Sequence, residues 1–156
     1  MTGLPRSTII ARWTPCANGA SSEARSRRSA PSSQRQMPLQ KPKAVYHLDD
    51  LDKVNFVIGN IQNHLDGVGG PGNVTIALVV HGQALKAFHS AAANPDLSKH
   101  VARFTKDGIA FAACANTVKS QNIGLADLLP GIVAAERGGV VRLAELQSQG
   151  YLYLRP

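Results

Sequence analysis

The sequence predicts an α/β domain: a parallel sheet with helices on both faces. Three observations carry this reading. Short β-rich runs alternate with longer segments of helical period. The most apolar run, Asn73-Val74-Thr75-Ile76-Ala77-Leu78-Val79-Val80, is continuous rather than alternating, as a strand buried on both faces must be. Glycine and proline punctuate the junctions. At 156 residues there is room for one core, so one site per subunit is expected.

Taken in order, Ala44-Val45-Tyr46-His47-Leu48 reads as the first strand, closed by Asp49-Asp50. Val54, Val57, Ile58, Ile61 and Leu65 recur at spacings of three and four and predict a helix, stopped by Gly67 and Gly69-Gly70-Pro71-Gly72. The apolar run to Val80 is the second strand and ends at His81-Gly82. Residues 84 to 93 read as a second helix, Asn94-Pro95 as a break, and residues 97 to 106 as a third helix. Gly108 to Ala113 is the third strand, after which Cys114-Ala115-Asn116-Thr117 offers a polar cap for a short helix running toward Ile123. A weaker strand at Ile132 to Ala135, a helix from Gly138 to Gln149 and a fifth strand at Tyr151 to Leu154 complete the domain, with Gly150 suited to the helix end.

The net charge of +7 is unevenly placed. Residues 1 to 42 hold seven basic residues against Glu23 alone, a net of +6, whereas residues 43 to 156 hold ten basic and nine acidic, a net of +1. Scattered cations interleaved with Asp96 and Asp107 do not make the basic surface that counterion release requires, so nucleic acid is not an expected partner. The first 42 residues are rich in Ser, Arg, Pro and Gly without apolar periodicity, and are expected to form a disordered basic extension ahead of a domain spanning 43 to 156. A transit peptide, a flexible arm and an upstream extension lying outside the mature protein all fit that composition; Met37 favours the last. Ile9-Ile10-Ala11 is far short of a secretory core, and no run of about 18 apolar residues is present to span a bilayer. With only Cys16 and Cys114, far apart, a reduced, cytoplasmic, non-membrane setting is expected.

In open α/β sheets ligands bind beyond the carboxyl ends of the strands. The first three strands end at Asp49-Asp50, His81-Gly82 and Cys114-Ala115-Asn116, which places an acid, an imidazole, a thiol and an amide on one rim. A thiol between a buried strand and a helix start meets amide dipoles that favour the thiolate, so Cys114 is the candidate catalytic residue, with Asp49, His81, Gly82 and Asn116 as candidate ligand-binding residues. Each also has a structural reading: Cys114 as a small buried hydrophobe, His81 as a histidine satisfied by a carbonyl, Asp49 and Asp50 as helix caps. The glycines at 67 to 72 follow a helix rather than a strand, which removes the phosphate-loop geometry. No Cys-x-x-Cys occurs, and His47, His64, His81, His89 and His100 lack metal-ligand spacing, so no metal site is expected. Gly-x-Ser-x-Gly is absent too.

The segments Val79-Val80-His81-Gly82, Gly108 to Thr117 with Cys114-Ala115-Asn116-Thr117, and Leu146 to Pro156 with Gln147-Ser148-Gln149-Gly150-Tyr151 together resemble the small intracellular branch of the DsrE/DsrF-like proteins. The resemblance spans residues 43 to 156. It implies a three-layer α/β/α sandwich on a five-stranded, mainly parallel sheet, assembled as homotrimers or hexamers. It also implies a sulfur-relay function, because in relay members the cysteine after the third strand, here Cys114, accepts sulfur as a persulfide. A sulfur donor or acceptor protein would be the partner, and no metal or nucleotide cofactor is needed. Relay members tend to carry Arg-Gly where this chain has Lys119-Ser120-Gln121-Asn122. The alternative is a non-catalytic oligomeric module of the same fold that binds or senses a small ligand at the rim, with Cys114 lining the pocket. Thiol redox sensing fits less well, because the body has no resolving cysteine.

Overall fold

The computed structural model describes residues 41–156. The expected basic extension, residues 1 to 42, lies outside the described residues except for Lys41 and Pro42. The strands are β1 (Lys43–Leu48), β2 (Thr75–Val80), β3 (Ala110–Cys114), β4 (Ile132–Ala135) and β5 (Leu152–Leu154). They form one sheet in the order β4-β3-β2-β1-β5, and every neighbouring pair is parallel, so the expected sheet is wholly rather than mainly parallel. The helices are α1 (Val54–Gly67), α2 (Pro95–Lys106), α3 (Ala115–Ser120) and α4 (Gly139–Ser148).

Strand parity sorts the side chains into two cores. Ala44, Tyr46 and Leu48 of β1, Ile76, Leu78 and Val80 of β2, and Phe111 and Ala113 of β3 pack with the apolar faces of α1 and α2. Val45, Ala77, Val79, Ala112 and Ala135 face the other way and meet Leu143 and Leu146 of α4. Parallel strands need crossovers, and those from β1 to β4 lie on the first face, while α4 returns across the second to β5 on the far edge. Among the described residues, α4 is the only helix on its face. Val133, Val140 and Leu152 stay exposed (58%, 72% and 67%).

The α1 stripe is the predicted one: Val54, Val57, Ile58, Ile61 and Leu65 are all buried. The α2 boundary is sharper than its pattern suggested, because Asn94 accepts a hydrogen bond from the Asp96 amide (2.9 Å) and Pro95 opens the first turn. The expected helix over 84 to 93 is instead a 3-10 segment, Gly82–Phe88. Its buried Ala84, Leu85 and Phe88 account for the helical pattern. The helix cannot continue because the chain is tied sideways to the stretch before β4: the Leu129 amide donates to the Phe88 carbonyl (2.9 Å) and the Ser90 amide to the Asp127 carbonyl (2.7 Å). Nor do Asp49 and Asp50 cap α1. Its N-cap position is Lys53, without a side-chain bond, while Asp50 accepts from the Asp52 amide (3.0 Å) and Asp49 is engaged elsewhere.

Two phenylalanines should separate sharply in denaturant unfolding. Phe88 is fully buried, so Phe88→Ala should lower stability by about 3–5 kcal/mol. Phe56 is 60% exposed on α1, and Phe56→Ala should stay within about 0.5 kcal/mol.

Candidate functional site

The crossovers from β3 and β4 leave on opposite faces of the sheet, through α3 and α4 respectively. Adjacent strands whose connections diverge in this way open a crevice at their carboxyl ends. Cys114 is the last residue of β3, paired in register with Ala135 at the end of β4. It is 7% exposed and forms no disulfide. Its sulfur lies beside the first turn of α4, where a Cβ on Gly139 would meet Cys114 Cβ at 3.2 Å, Sγ at 3.6 Å and His81 Cβ at 3.6 Å. Glycine at 139 is therefore what lets α4 close over the thiol and His81 together.

Burial by itself would push the Cys114 thiol up. The Gly139 amide, the Thr117 amide and hydroxyl and the Asn116 amide outweigh it and hold the thiol below its ordinary value. Thr117 Oγ1 accepts from the Gly82 amide (3.2 Å), which leaves its own proton free for the sulfur. Gln121 Nε2 donates to the Gly82 carbonyl (2.8 Å), so the segment that departs from the relay pattern braces the β2 rim. Gly82 itself has φ +60°, and a Cβ there would lie 3.1 Å from the Asp49 carbonyl oxygen. Its place is a backbone requirement.

The second half of the site comes from β1, β2 and the chain after β5. His47 Nε2 meets His81 Nε2, with near-parallel rings whose centroids lie 4.5 Å apart. His47 Nδ1 pairs with the Tyr153 hydroxyl (2.6 Å). Burial, then the neighbouring His81 and also Arg155, hold His47 below the ordinary imidazole range against the opposing pull of Asp49. Arg155 donates to Asp49 Oδ2 at 2.7 Å. Partial burial would raise the Asp49 carboxyl, but the Arg155 hydrogen bond and charge, with His47 and His81, keep it below the usual carboxylate range.

Of the sequence-predicted residues, Cys114, His81, Gly82 and Asp49 converge on this rim. Asn116 is exposed at its mouth, with Nδ2 3.0 Å from where a Gly138 Cβ would stand. His47, Tyr153, Arg155, Thr117 and Gly139 were not singled out. Two signals could have found them. Strand parity puts residues 45, 47 and 49, residues 77, 79 and 81, residues 112 and 114, and residue 153 on one face. Thr117 stands three residues after the cap position, from which a side chain can reach back. Spacing along the chain gives no metal set, but the fold brings donor atoms of His47, Asp49 and His81 within 4.8 Å of one another.

If the amides around Cys114 act as described, alkylation of Cys114 by iodoacetamide, followed by peptide mass spectrometry, should reach half its maximal rate below the free-thiol value of about pH 8.5. Gly139→Ala and Thr117→Val should each slow it severalfold at pH 7. A thiol with a depressed pKa in the folded state stabilises the fold above its unfolded pKa, and the effect is lost as pH falls through the folded one. The destabilisation caused by Cys114→Ala should therefore grow from neutral pH toward about pH 9.

No family model matches the chain, and no curated protein matches it at the sequence level. Solved structures do. A protein of unknown function from Methanobacterium thermoautotrophicum, MTH1491, superposes with a TM-score of 0.64 at 26% identity, covering 74% of this chain and 99% of that one. The YchN protein of E. coli superposes with a TM-score of 0.52 at 12% identity, covering 73% and 99%, a likeness of fold alone. Both neighbours belong to the DsrE/DsrF-like fold family, and the α/β fold with a five-stranded parallel sheet is the one this chain shares with them.

Proposed function

We propose that the chain is a sulfur carrier of the DsrE/DsrF-like type, with Cys114 as the residue that holds sulfur. The supporting observation is the setting of Cys114: a buried thiol at the sheet's crevice whose surrounding amides, from two helix starts, favour the thiolate despite burial. Such a thiolate can attack the outer sulfur of a donor persulfide. A bond forms between Cys114 Sγ and that sulfur, the donor's S–S bond breaks, and the donor leaves as a thiolate, so one sulfur moves without net oxidation or reduction. The same amides would steady the persulfide anion. Asn116, exposed at the mouth, would meet the donor or acceptor in this reading. Self-assembly as a homotrimer or hexamer is part of this reading, supported by the exposed Val133 and Val140 on the thinly covered face.

Incubation with a low-molecular-weight persulfide donor should add about 32 Da to the protein, removable by reductant. Cys114→Ser should abolish the addition at this site while keeping the fold. That variant retains Cys16, so it also reports what Cys16 contributes. Light scattering at micromolar concentration should give a multiple of the chain mass. A thiol that stays inert toward persulfide in the folded protein would overturn the carrier reading in favour of the ligand-binding module.

A further inference from the structure

The sulfur exchange proposed above assigns no step to His47, Asp49 or His81, yet their donor atoms converge. His47 is the penultimate residue of β1, Asp49 follows that strand directly, and His81 follows β2. The ladder fixes their relative positions, because β1 and β2 pair in register to Leu48↔Val80 and the His81 amide continues the pattern by donating to the Leu48 carbonyl (2.9 Å). Both imidazoles present Nε2 to the same point. A single shared proton would satisfy two nitrogens but would give the nearby carboxylate no part. A divalent cation engages all three.

The outer groups support the same conclusion. When a histidine binds a metal through Nε2, its Nδ1–H is ordinarily given to an oxygen acceptor, which fixes the tautomer and the ring. The Tyr153 hydroxyl lies 2.6 Å from His47 Nδ1 and can accept that proton, leaving the Nε2 lone pair for the ion. Arg155, 2.7 Å from Asp49 Oδ2, sets the orientation of the carboxylate in the same way. All three candidate ligands are partly exposed, so an ion has a path of entry.

The geometry points to a divalent transition-metal site of the zinc class, with His47 Nε2, His81 Nε2 and the Asp49 carboxylate as its three protein ligands. Two imidazoles and one carboxylate are a borderline donor set that suits zinc rather than calcium or magnesium, and three protein ligands leave a fourth position for water or a small anion. Around a tetrahedral zinc ion with bonds of about 2.0–2.1 Å, donor atoms stand about 3.3 Å apart. The three donor atoms already lie within 4.8 Å of one another, close to that spacing. The site shares a rim with Cys114 but does not depend on the sulfur-carrier reading.

Calorimetric titration of the full chain with Zn2+ should show one saturable site per chain, with a matching rise in the unfolding temperature. Cobalt(II) added instead should give the visible absorption of a tetrahedral ion. His47→Ala and His81→Ala should each remove the site, and the double variant gives the baseline due to the other histidines and Cys16. Tyr153→Phe, a milder change, should weaken binding by about 10- to 100-fold. Cys114→Ser should leave zinc affinity and the cobalt spectrum unchanged, so failure of sulfur loading and failure of metal binding are separately visible. Zinc affinity in the wild type equal to that of the double variant would overturn the proposal, even if the histidine variants fail to fold. So would a thiolate-to-cobalt band that disappears in Cys114→Ser, because that would place the thiol among the ligands.

Discussion

Everything at the rim depends on the parallel hydrogen-bonded ladder that joins β1, β2 and β3. Its register, Val45↔Ala77 and Val79↔Ala112, fixes which residues of three separate segments share a face and how far each reaches toward the carboxyl edge. Continued by one residue past Val80↔Ala113, it sets His81 beside Cys114. A shift of one residue in any strand would turn its rim side chain to the opposite face. The apolar core that protects this register therefore also positions the candidate site: the continuous β2 run, with Leu78, Val79 and Val80 at most 1% exposed, holds His81 in place.

The two faces of the sheet are unequal, and the difference explains why the candidate site lies on one of them. The face under α1 and α2 is filled with large apolar side chains, Phe88, Phe104 and Phe111 among them. The α4 face is built from small residues, Ala77, Ala112 and Ala135, under one ten-residue helix. At its carboxyl end the cover thins to the Gly138-Gly139 turn, so His47, His81 and Cys114 can be partly covered without being sealed. A cleft of about 270 Å3 lies alongside, bounded by β4 and the start of α4, where Arg137 and Arg142 are both paired with Glu145. Its charges are thus largely answered from within.

Fold class was legible because period and composition are local: the α1 stripe, the β2 run and the glycine stops state their elements without reference to the rest of the chain. Rim membership was legible for Cys114, His81 and Asp49, since a strand's carboxyl end can be found from its apolar run. What escaped was decided by pairing. The 3-10 segment Gly82–Phe88 replaces the expected helix because of hydrogen bonds to residues near 128, which no local propensity records. Asp49 is drawn away from capping by Arg155, 106 positions along the chain. His47 reads as one polar residue in a strand until the register sets it against His81. Gly139 looks like a helix-start glycine until the sulfur is seen against it.

The rim is closed by two contacts that each join residues 106 positions apart, His47 to Tyr153 and Asp49 to Arg155. Closing so long a loop is entropically costly, and its contacts are only made once the intervening chain has been organised. During synthesis β1 is therefore among the first strands to emerge, yet one of its edges stays open until β5 arrives. An open edge of this kind invites pairing with other chains. Only three residue pairs, Ala44↔Leu152 to Tyr46↔Leu154, then hold β5 in place. The last strand to dock is accordingly also the first that thermal fluctuation should release. In hydrogen-exchange terms, the half of the rim that holds His47 and Asp49 would open well below the global unfolding energy, while the half around Cys114 stays shut with the central sheet.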